Sequence, residues 1–271
     1  MGTGLAMAEP SVVFLMYHEL ELPGRALCHA EPGYVRYVLR ASDFRAQMEL
    51  LKNNGWCGTS VGEAVRQFPK NTAAITFDDG SETDLLAAAP VLREFGFGAT
   101  FFITTGWLGR PGFLSASQLR ELASLGFEIG AHSMTHAHLV DLDDAALHRE
   151  ISGSKLELEQ ILGQPIEHFS CPGGSYDARV AQLAREAGYR TVSTSRVHAN
   201  SSRTDTLALG RVAVMRHTSA TEFWSVCQAR GLWRPRFSAR LRDVIRNTLG
   251  NSAYDRLRNK MLRISSNDSG M

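Results

Sequence analysis

Residues 73–80 read Ala-Ala-Ile-Thr-Phe-Asp-Asp-Gly, a short apolar run that ends in two carboxylates and a glycine. The apolar and β-branched side chains predict a strand over Ala73–Asp79, because short runs of this kind bounded by turn residues favour strands over helices. Gly80 then indicates a turn. This stretch therefore predicts a strand whose carboxyl end carries two adjacent acids.

Similar short runs alternate with longer amphipathic segments along the chain. The predicted strands are Val12–His18, Ala73–Asp79, Gly98–Ile103, Glu128–Ser133, His168–Gly173, Thr191–Ser195 and Ala208–Val214. The predicted helices are Ser42–Asn54, Thr83–Phe95, Ser115–Leu125, Asp143–Leu162, Asp177–Ala187 and Thr221–Ala229. This alternation indicates parallel strands joined by helical crossovers. We expect an α/β fold built as a seven-stranded (β/α) barrel, with a doubly wound open sheet as the alternative.

Candidate functional residues gather at one end of these strands. The residues at or just past the carboxyl end of a predicted strand are His18, Asp78, Asp79, His132 and Gly173. Active sites of α/β barrels are assembled on that rim from several strands. This placement favours the barrel and predicts that the five residues meet.

A second motif, His132-Ser133-Met134-Thr135-His136, places two imidazoles four residues apart. Such a pair can reach one metal ion, and a carboxylate from the other strand would complete three protein ligands and leave a position open for water. A divalent ion held in this way lowers the pKa of water and polarises a carbonyl oxygen. Each motif alone also suits a chance spacing or a solvated turn. Together they predict a catalytic metal centre.

Residues 76–80 and 132–136 resemble the first two motifs of the polysaccharide deacetylases, the carbohydrate esterase family that shares the nodulation-factor deacetylase domain. The resemblance covers about residues 12–229 and implies a distorted seven-stranded barrel. It implies that Asp79, His132 and His136 bind one divalent metal, preferably zinc, that Asp78 is the general base, and that Ser133 braces the histidine loop. The same ligands also suit cobalt, nickel or iron.

Residues 169–177, Phe-Ser-Cys-Pro-Gly-Gly-Ser-Tyr-Asp, resemble the third motif of the family. The resemblance implies that the backbone N–H of Gly173 faces the developing oxyanion, and a backbone donor does not depend on the side chain. We expect Pro172 and Gly174 to contact the substrate, although the three residues also suit a plain turn. Many relatives carry an arginine where Ser170 stands, and that arginine orients the catalytic aspartate.

Two substitute assignments follow, because that arginine and the usual general-acid histidine near the seventh strand are both missing. Met16-Tyr17-His18 resembles a Tyr-His pair on the first strand of one subgroup of bacterial exopolysaccharide deacetylases, which makes His18 the expected general acid. Arg211 is the expected partner of Asp78. A structural histidine and a surface salt bridge are the respective alternatives.

Other aromatic and imidazole side chains have weaker assignments. Trp107 lies on the predicted loop after the third strand and is expected to stack on a sugar ring, with Phe113 as a second candidate, although core packing suits both equally. The histidines interpreted as structural or surface residues are His138, His148, His168, His198 and His217. Of these, we expect His138 to lie nearest the site.

The composition is ordinary for a soluble globular protein, with 44% apolar residues, 21% charged residues and a formal net charge of +1. The four cysteines lie far apart without a Cys-x-x-Cys pair, so we expect reduced thiols. No apolar run is long enough to span a bilayer, and residues 12–16 lack a basic leader. These features predict a cytoplasmic protein.

Charge is segregated along the chain. Residues 1–229 carry 19 lysines and arginines against 25 acids, whereas residues 230–263 carry 10 against two. We expect residues 1–229 to form the catalytic barrel and residues 230–271 a basic helical extension with apolar stripes. The extension either packs on the barrel or docks it peripherally on anionic lipid at the inner membrane face. No nucleic-acid-binding module is recognisable.

The expected activity is removal of an N-acetyl group from an amino sugar of a glycan or exopolysaccharide precursor. A deformylase or other amidase acting on a lipid-linked amino sugar is the nearest alternative, and a non-catalytic glycan-binding relative is another. A glycosidase is disfavoured, because its two carboxylates must flank the scissile bond. Asp78 and Asp79 are adjacent, and the histidine pair would have no task in that reaction.

Overall fold

The computed structural model describes residues 9–232. The strands are β1 (Ser11–Tyr17), β2 (Leu20–Glu21), β3 (Leu39–Arg40), β4 (Cys57–Thr59), β5 (Thr72–Phe77), β6 (Thr100–Ile103), β7 (Glu128–Ala131), β8 (His168–Ser170), β9 (Thr191–Ser193), β10 (Asn200–Ser201) and β11 (Val212–Ala213). The helices are α1 (Pro32–Val35), α2 (Ala41–Asn53), α3 (Val61–Gln67), α4 (Ala89–Phe95), α5 (Ala116–Ser124), α6 (Asp144–His148), α7 (Ser154–Leu162), α8 (Ala178–Glu186) and α9 (Ala220–Cys227).

Seven parallel strands form the barrel. β1, β5, β6, β7, β8 and β9 lie side by side in that order. β11 pairs in parallel with the other edge of β1, and Leu209 forms a parallel bridge to Ser193 of β9. The segment 209–213 therefore joins the first strand to the last. The predicted seven-stranded barrel is confirmed, and the open sheet is wrong.

Several short elements had no sequence prediction. β10 pairs antiparallel with β1, β4 pairs in parallel with β5, and β2 and β3 form a separate ribbon. Helix α3 begins after Ser60, whose side chain accepts a hydrogen bond from the N–H of Glu63. These elements are too short to show a clear hydrophobic period, which is the main signal for secondary structure.

The predicted basic extension falls almost entirely on residues 233–271, which lie outside the described residues. Its helices and its contact with anionic lipid therefore stay predictions. Within residues 9–232, no helix is long and apolar enough to cross a bilayer.

Successive side chains of each strand point to opposite faces of the sheet, and the buried apolar residues therefore form two hydrophobic clusters. The smaller one fills the barrel interior and consists of Val12, Phe14, Val61, Ala64, Ala74, Phe102 and Leu209. The larger one lies between the strands and the helices, and its members on the first two barrel strands are Val13, Leu15, Tyr17, Ala73, Ile75 and Phe77. By the same alternation, His18 and Asp78 continue the inward series of Phe14 and Ala74 to the carboxyl rim.

Phe77→Ala should destabilise the fold strongly. Phe77 is fully buried, and its ring centroid lies 5.2 Å from that of Tyr17 and 5.1 Å from that of Phe101. Loss of a buried phenylalanine side chain costs about 3–5 kcal/mol, so urea unfolding should show a loss of that size. Leu86→Ala is the control, because Leu86 is 51% exposed; it should change the unfolding free energy by less than about 0.5 kcal/mol. Equal losses for the two variants would contradict this description of the core.

Candidate active site

The two adjacent carboxylates after β5 have different backbone conformations. Asp78 continues the strand pairing, since its N–H donates to the carbonyl of Tyr17 at 3.0 Å. Asp79 has a φ of 82°, a left-handed conformation that is uncommon for residues other than glycine. Both side chains are buried. The turn between them gives the two carboxylates different surroundings and allows them different roles.

Three side chains converge at the rim of the barrel. Asp79 Oδ1 lies 3.6 Å from Nε2 of His132 and 3.4 Å from Nε2 of His136. One candidate ligand atom from each residue lies within 4.8 Å of the other two. Imidazole nitrogens and carboxylate oxygens bind zinc at about 2.0–2.2 Å, so only small shifts would bring all three to one ion. The structure thus brings together the three predicted metal ligands.

The protonation states of Asp79, His132 and His136 are compatible with binding of a cation. Asp79 Oδ1 is buried without a hydrogen-bond partner among residues 9–232. Burial raises the pKa of Asp79, against the opposing charges of His18 and His132. Burial lowers the pKa of both His132 and His136 to about 4, so both imidazoles are neutral at pH 7 and can act as ligands. An unpaired buried oxygen beside two neutral imidazoles fits one divalent ion with nitrogen and oxygen ligands.

The histidine loop is held by its own backbone and by β8. His132 Nδ1 donates to the carbonyl of Ser170 at 2.9 Å, which leaves Nε2 free to face the metal position. Ser133 Oγ accepts a hydrogen bond from the N–H of His136 at 3.0 Å, the contact expected of a bracing serine. Ser133 and His136 have φ values of 62° and 63°. Together with Asp79, they concentrate strained backbone at this site, where such strain is commonly functional.

Glu150, which no local motif singles out, fixes the tip of the histidine loop. Its carboxylate accepts hydrogen bonds from the N–H groups of Met134 and Thr135 at 2.8 and 2.9 Å and from Thr135 Oγ1 at 2.6 Å. Glu150 is buried and lies in a π-helical turn between α6 and α7. π-Turns within helices often occur at functional sites. The loop is thus held from outside the barrel as well as from β8.

Arg211 and Asp78 form a bidentate ion pair at the floor of the site. Arg211 Nη1 lies 2.7 Å from Asp78 Oδ1, and Nη2 lies 2.8 Å from Oδ2. The guanidinium also donates to the hydroxyls of Ser170 and Thr76 and to the carbonyl of Thr194, at 2.7, 3.2 and 3.2 Å. The structure therefore brings Arg211 to Asp78 and excludes a surface salt bridge, because both side chains are buried.

The charge of Arg211 keeps Asp78 ionised. Burial alone would raise the pKa of this carboxyl, but Arg211, with smaller help from His132, holds the pKa well below its usual range. Asp78 Oδ2 lies 3.8 Å from Nε2 of His132. A buried carboxylate beside the candidate metal ligands, charged at neutral pH and fixed in orientation, has the properties of a general base.

His18 lies on the same rim. Its Nδ1 is buried without a hydrogen-bond partner in the described part of the chain, and its ring centroid lies 5.0 Å from that of Tyr37. Burial has the largest effect on the pKa of both Asp78 and Asp79 and raises it, and the nearby His18 acts in the opposite direction on both. The structure thus places His18 near the carboxylate pair, on the side of the rim formed by β1.

The loop after β8 forms a short 3₁₀ turn over Pro172–Gly174. Gly173 has a φ of 58°, and a Cβ added there would lie 3.6 Å from Cε1 of His138. Gly174 has a φ of 72°, and a Cβ there would lie 2.5 Å from the side chain of Ser195. Glycine is therefore required at the second position by packing, and His138 borders the loop as expected. Substrate contact by Pro172 and Gly174 stays a prediction.

Trp107 contacts a metal-ligand candidate. Its ring stacks on that of His136 with a centroid distance of 5.0 Å and an interplanar angle of 27°, and it also packs on Phe113 at 5.0 Å. One face of the indole is therefore covered by protein, so stacking on a sugar could use only the opposite face. His29, which the sequence analysis did not assign, packs on the same indole at 5.5 Å.

His168 lies away from this site, at the start of β8. Its Nε2 is 3.3 Å from Glu128 Oε2, and its Nδ1 is 2.9 Å from Thr191 Oγ1. These contacts agree with the interpretation of His168 as a structural residue.

Comparisons with known proteins give a consistent result. The family model described as polysaccharide deacetylase matches residues 65–192. A peptidoglycan-N-acetylglucosamine deacetylase of Bacillus cereus is 36% identical over 135 residues, covering 49% of this chain and 61% of that protein. A poly-β-1,6-N-acetyl-D-glucosamine N-deacetylase of Staphylococcus aureus is 25% identical over 173 residues, covering 57% of this chain and 60% of that protein. The alignments thus span less than two thirds of either relative.

The fold has a close structural counterpart. The Streptococcus pyogenes deacetylase PplD, solved in complex with acetate, superposes with a TM-score of 0.72 at 21% sequence identity. The superposition covers 81% of this chain and 99% of PplD. At this level of identity, the likeness establishes the shared barrel.

Glu150→Ala should weaken metal binding, because it leaves the N–H groups of Met134 and Thr135 unpaired and frees the histidine loop. Loss of an outer partner of a metal ligand typically costs about 10–100-fold in affinity. Competition with a chromophoric chelator would measure the effect. Glu157→Ala is the control, since Glu157 makes no hydrogen bond to this loop within residues 9–232. Unchanged affinity in folded Glu150→Ala would show that the loop holds its shape without the carboxylate.

Proposed function

The chain belongs to the polysaccharide deacetylase family, and on that premise we propose that it is a metal-dependent N-deacetylase of an amino sugar within a glycan. The main support for the proposal is that two adjacent carboxylates have different partners. Asp79 faces two neutral imidazoles, whereas Asp78 is held by Arg211. Amide hydrolysis needs a group that polarises the carbonyl and a base that activates water. A metal ion bound by Asp79 and the two histidines would meet the first need, and Asp78 would meet the second.

The proposed metal ligands are Asp79, His132 and His136. A divalent ion bound there would acidify water and polarise the amide carbonyl. Zinc is the proposed ion, because two imidazoles and one carboxylate with an open position are a common catalytic zinc set. The hydrogen bond from His132 Nδ1 to Ser170 fixes the tautomer that this role requires.

Asp78 is the proposed general base. Its carboxylate takes a proton from the attacking water while Arg211 holds both oxygens in one plane. Because Arg211 keeps the carboxylate ionised, Asp78 is in its proton-accepting form at neutral pH. Ser170 Oγ lies 3.4 Å from both carboxylate oxygens and accepts a hydrogen bond from Arg211. Arg211, directly before β11, thus performs the task that many relatives assign to an arginine at the position of Ser170.

Two further groups complete the proposed reaction. The backbone N–H of Gly173 stabilises the oxyanion as the tetrahedral intermediate forms. His18 protonates the amine as the C–N bond breaks, which releases acetate and a free amino sugar. Support for His18 comes from its position directly after β1, where it continues the inward-facing series of that strand, and from its electrostatic effect on both carboxylates.

The substrate class is proposed from chemistry and from the relatives together. The B. cereus and S. aureus relatives are named for action on N-acetylglucosamine polymers. N-acetylglucosamine within a glycan is therefore the proposed substrate unit. A formylated amino sugar would use the same residues. A decayed, non-catalytic site is disfavoured, because Asp78, Asp79 and both histidines are present and assembled.

The direct test is product analysis. Full-length protein loaded with zinc is incubated with oligomers of N-acetylglucosamine and with a formamido sugar, and acetate, formate and free amine are measured. The proposal predicts acetate and free amine in equal amounts, with loss of turnover after chelation and recovery when zinc is restored. Formate release without acetate would instead establish the deformylase.

The two aspartates should respond differently to amide substitution. Asp78→Asn should reduce kcat by about 10²–10⁴-fold, the usual contribution of a general base, and retain bound metal. Asp79→Asn should lose metal affinity as well as turnover, because an amide is a weaker ligand. Elemental analysis beside kinetics separates the cases. The assignments would be reversed if Asp78→Asn emptied the site while Asp79→Asn kept its ion.

His18→Ala should reduce kcat by about 10²-fold or more, in keeping with the loss of a general acid. Metal content should stay at the wild-type level, because His18 is not among the proposed ligands. His217→Ala is the matched control, since His217 is exposed. Near-normal kcat for His18→Ala on a substrate with a poor amine leaving group would remove His18 from the mechanism.

A further inference from the structure

The segment between β1 and α2 is anchored beside the active site by one buried carboxylate. The side chain of Glu19 is fully buried and accepts hydrogen bonds from Arg25 Nη1 at 3.0 Å, from the N–H of Cys28 at 2.9 Å and from the hydroxyl of Tyr34 at 3.1 Å. These three donors are spread over much of the segment. Glu19 therefore gives residues 25–34 a defined conformation.

A second set of contacts ties this segment to the rim of the barrel. Arg25 pairs with Glu82 at 2.6 Å and donates to the carbonyl of Gly112 at 3.1 Å. Cys28 Sγ contacts the same carbonyl at 3.1 Å. Glu82 follows β5 and Gly112 lies on the loop after β6. The segment is thus fixed to the two rim loops that flank the active site.

His29 projects from this anchored segment into an aromatic wall. Its ring centroid lies 4.9 Å from that of Tyr34, 5.5 Å from that of Trp107 and 5.8 Å from that of Phe113. Trp107 in turn stacks on His136 at 5.0 Å. One indole therefore separates His29 from a proposed metal ligand.

Among residues 9–232, no group uses the hydrogen-bonding capacity of His29. Its side chain is partly exposed, and it makes ring contacts but no hydrogen bond or ion pair within residues 9–232. It is also not part of the metal-ligand cluster found among those residues. Three rings hold the imidazole plane while its nitrogens stay available. A neutral imidazole offers one donor and one acceptor, which suits a sugar hydroxyl that can do both.

We propose that His29 is a substrate-binding residue whose imidazole hydrogen-bonds a hydroxyl group of the glycan at the mouth of the active site. This inference rests on the proposed function, because it takes a glycan to be the ligand. Trp107 and Phe113 fix the ring, and Glu19 acts as a positioning residue through the anchored segment. Recognition of the sugar thus comes from residues 25–34, none of which has a proposed role in the chemical steps.

Glycan binding by paired variants tests the role of His29 apart from turnover. In the Asp78→Asn chain loaded with zinc, calorimetry with a β-linked tetramer of N-acetylglucosamine gives Kd for His29, His29→Phe and His29→Gln. Phenylalanine keeps the ring packing and removes the hydrogen bond, so Kd should rise roughly 3- to 10-fold, as for one lost bond to a neutral group. Glutamine keeps a donor and an acceptor and should bind more tightly than phenylalanine.

The controls separate this inference from the proposed function. His217→Ala, in the same background, should leave Kd unchanged, and the unfolding temperature of His29→Phe should match that of the parent. An unchanged Kd for His29→Phe, or a loss for glutamine equal to that for phenylalanine, would overturn the role of His29. Acetate release is measured separately with Asp78 intact. Its absence would refute the deacetylase, while the Kd comparison would still decide the role of His29.

Discussion

The buried ion pair between Arg211 and Asp78 is the constraint on which the rest of the site depends. Removing two charges from water costs several kcal/mol per ion, and only close, well-oriented partners offset that cost. Here the two terminal guanidinium nitrogens, Nη1 and Nη2, each contact one carboxylate oxygen, at 2.7 and 2.8 Å. Further hydrogen bonds from the guanidinium reach Thr76, Ser170 and Thr194. The pair also links the segment that closes the barrel to the end of β5, so closure of the barrel and the charge of the proposed base depend on the same contact.

The pair is connected to the proposed metal centre through Ser170. Its hydroxyl accepts from Arg211, and its carbonyl accepts from His132 Nδ1 at 2.9 Å. One residue of β8 therefore orients both the arginine that holds the base and an imidazole that would hold the ion. A small side chain is needed at this position, because the guanidinium arriving from β11 occupies the space beside it. Arg211 thus occupies the place beside Asp78 that an arginine at position 170 would occupy, although it comes from a different part of the chain.

The sequence predicted those parts of the fold and site that depend on local pattern. Strand ends bearing Asp78 or His132 could be located because apolar runs and motif spacing are local signals. Glu150 and His29 could not be found in this way, because their roles depend on how distant loops pack. Glu150 binds backbone groups of the loop that follows the left-handed Ser133, and His29 lies on the segment that Glu19 anchors. Short elements such as α3 lacked a readable hydrophobic period.

The measurement that tests the central role of the ion pair most directly is relocation of its arginine. Arg211→Ser should lower kcat about 10–100-fold, the usual effect of removing an outer partner of an active-site group. Ser170→Arg introduced into that variant places a guanidinium on β8 beside the same carboxylate. Our account predicts that this double variant, folded and loaded with zinc, recovers much of the lost kcat for acetate release. Wild-type kcat in Arg211→Ser, or a double variant no faster than the single one, would contradict it.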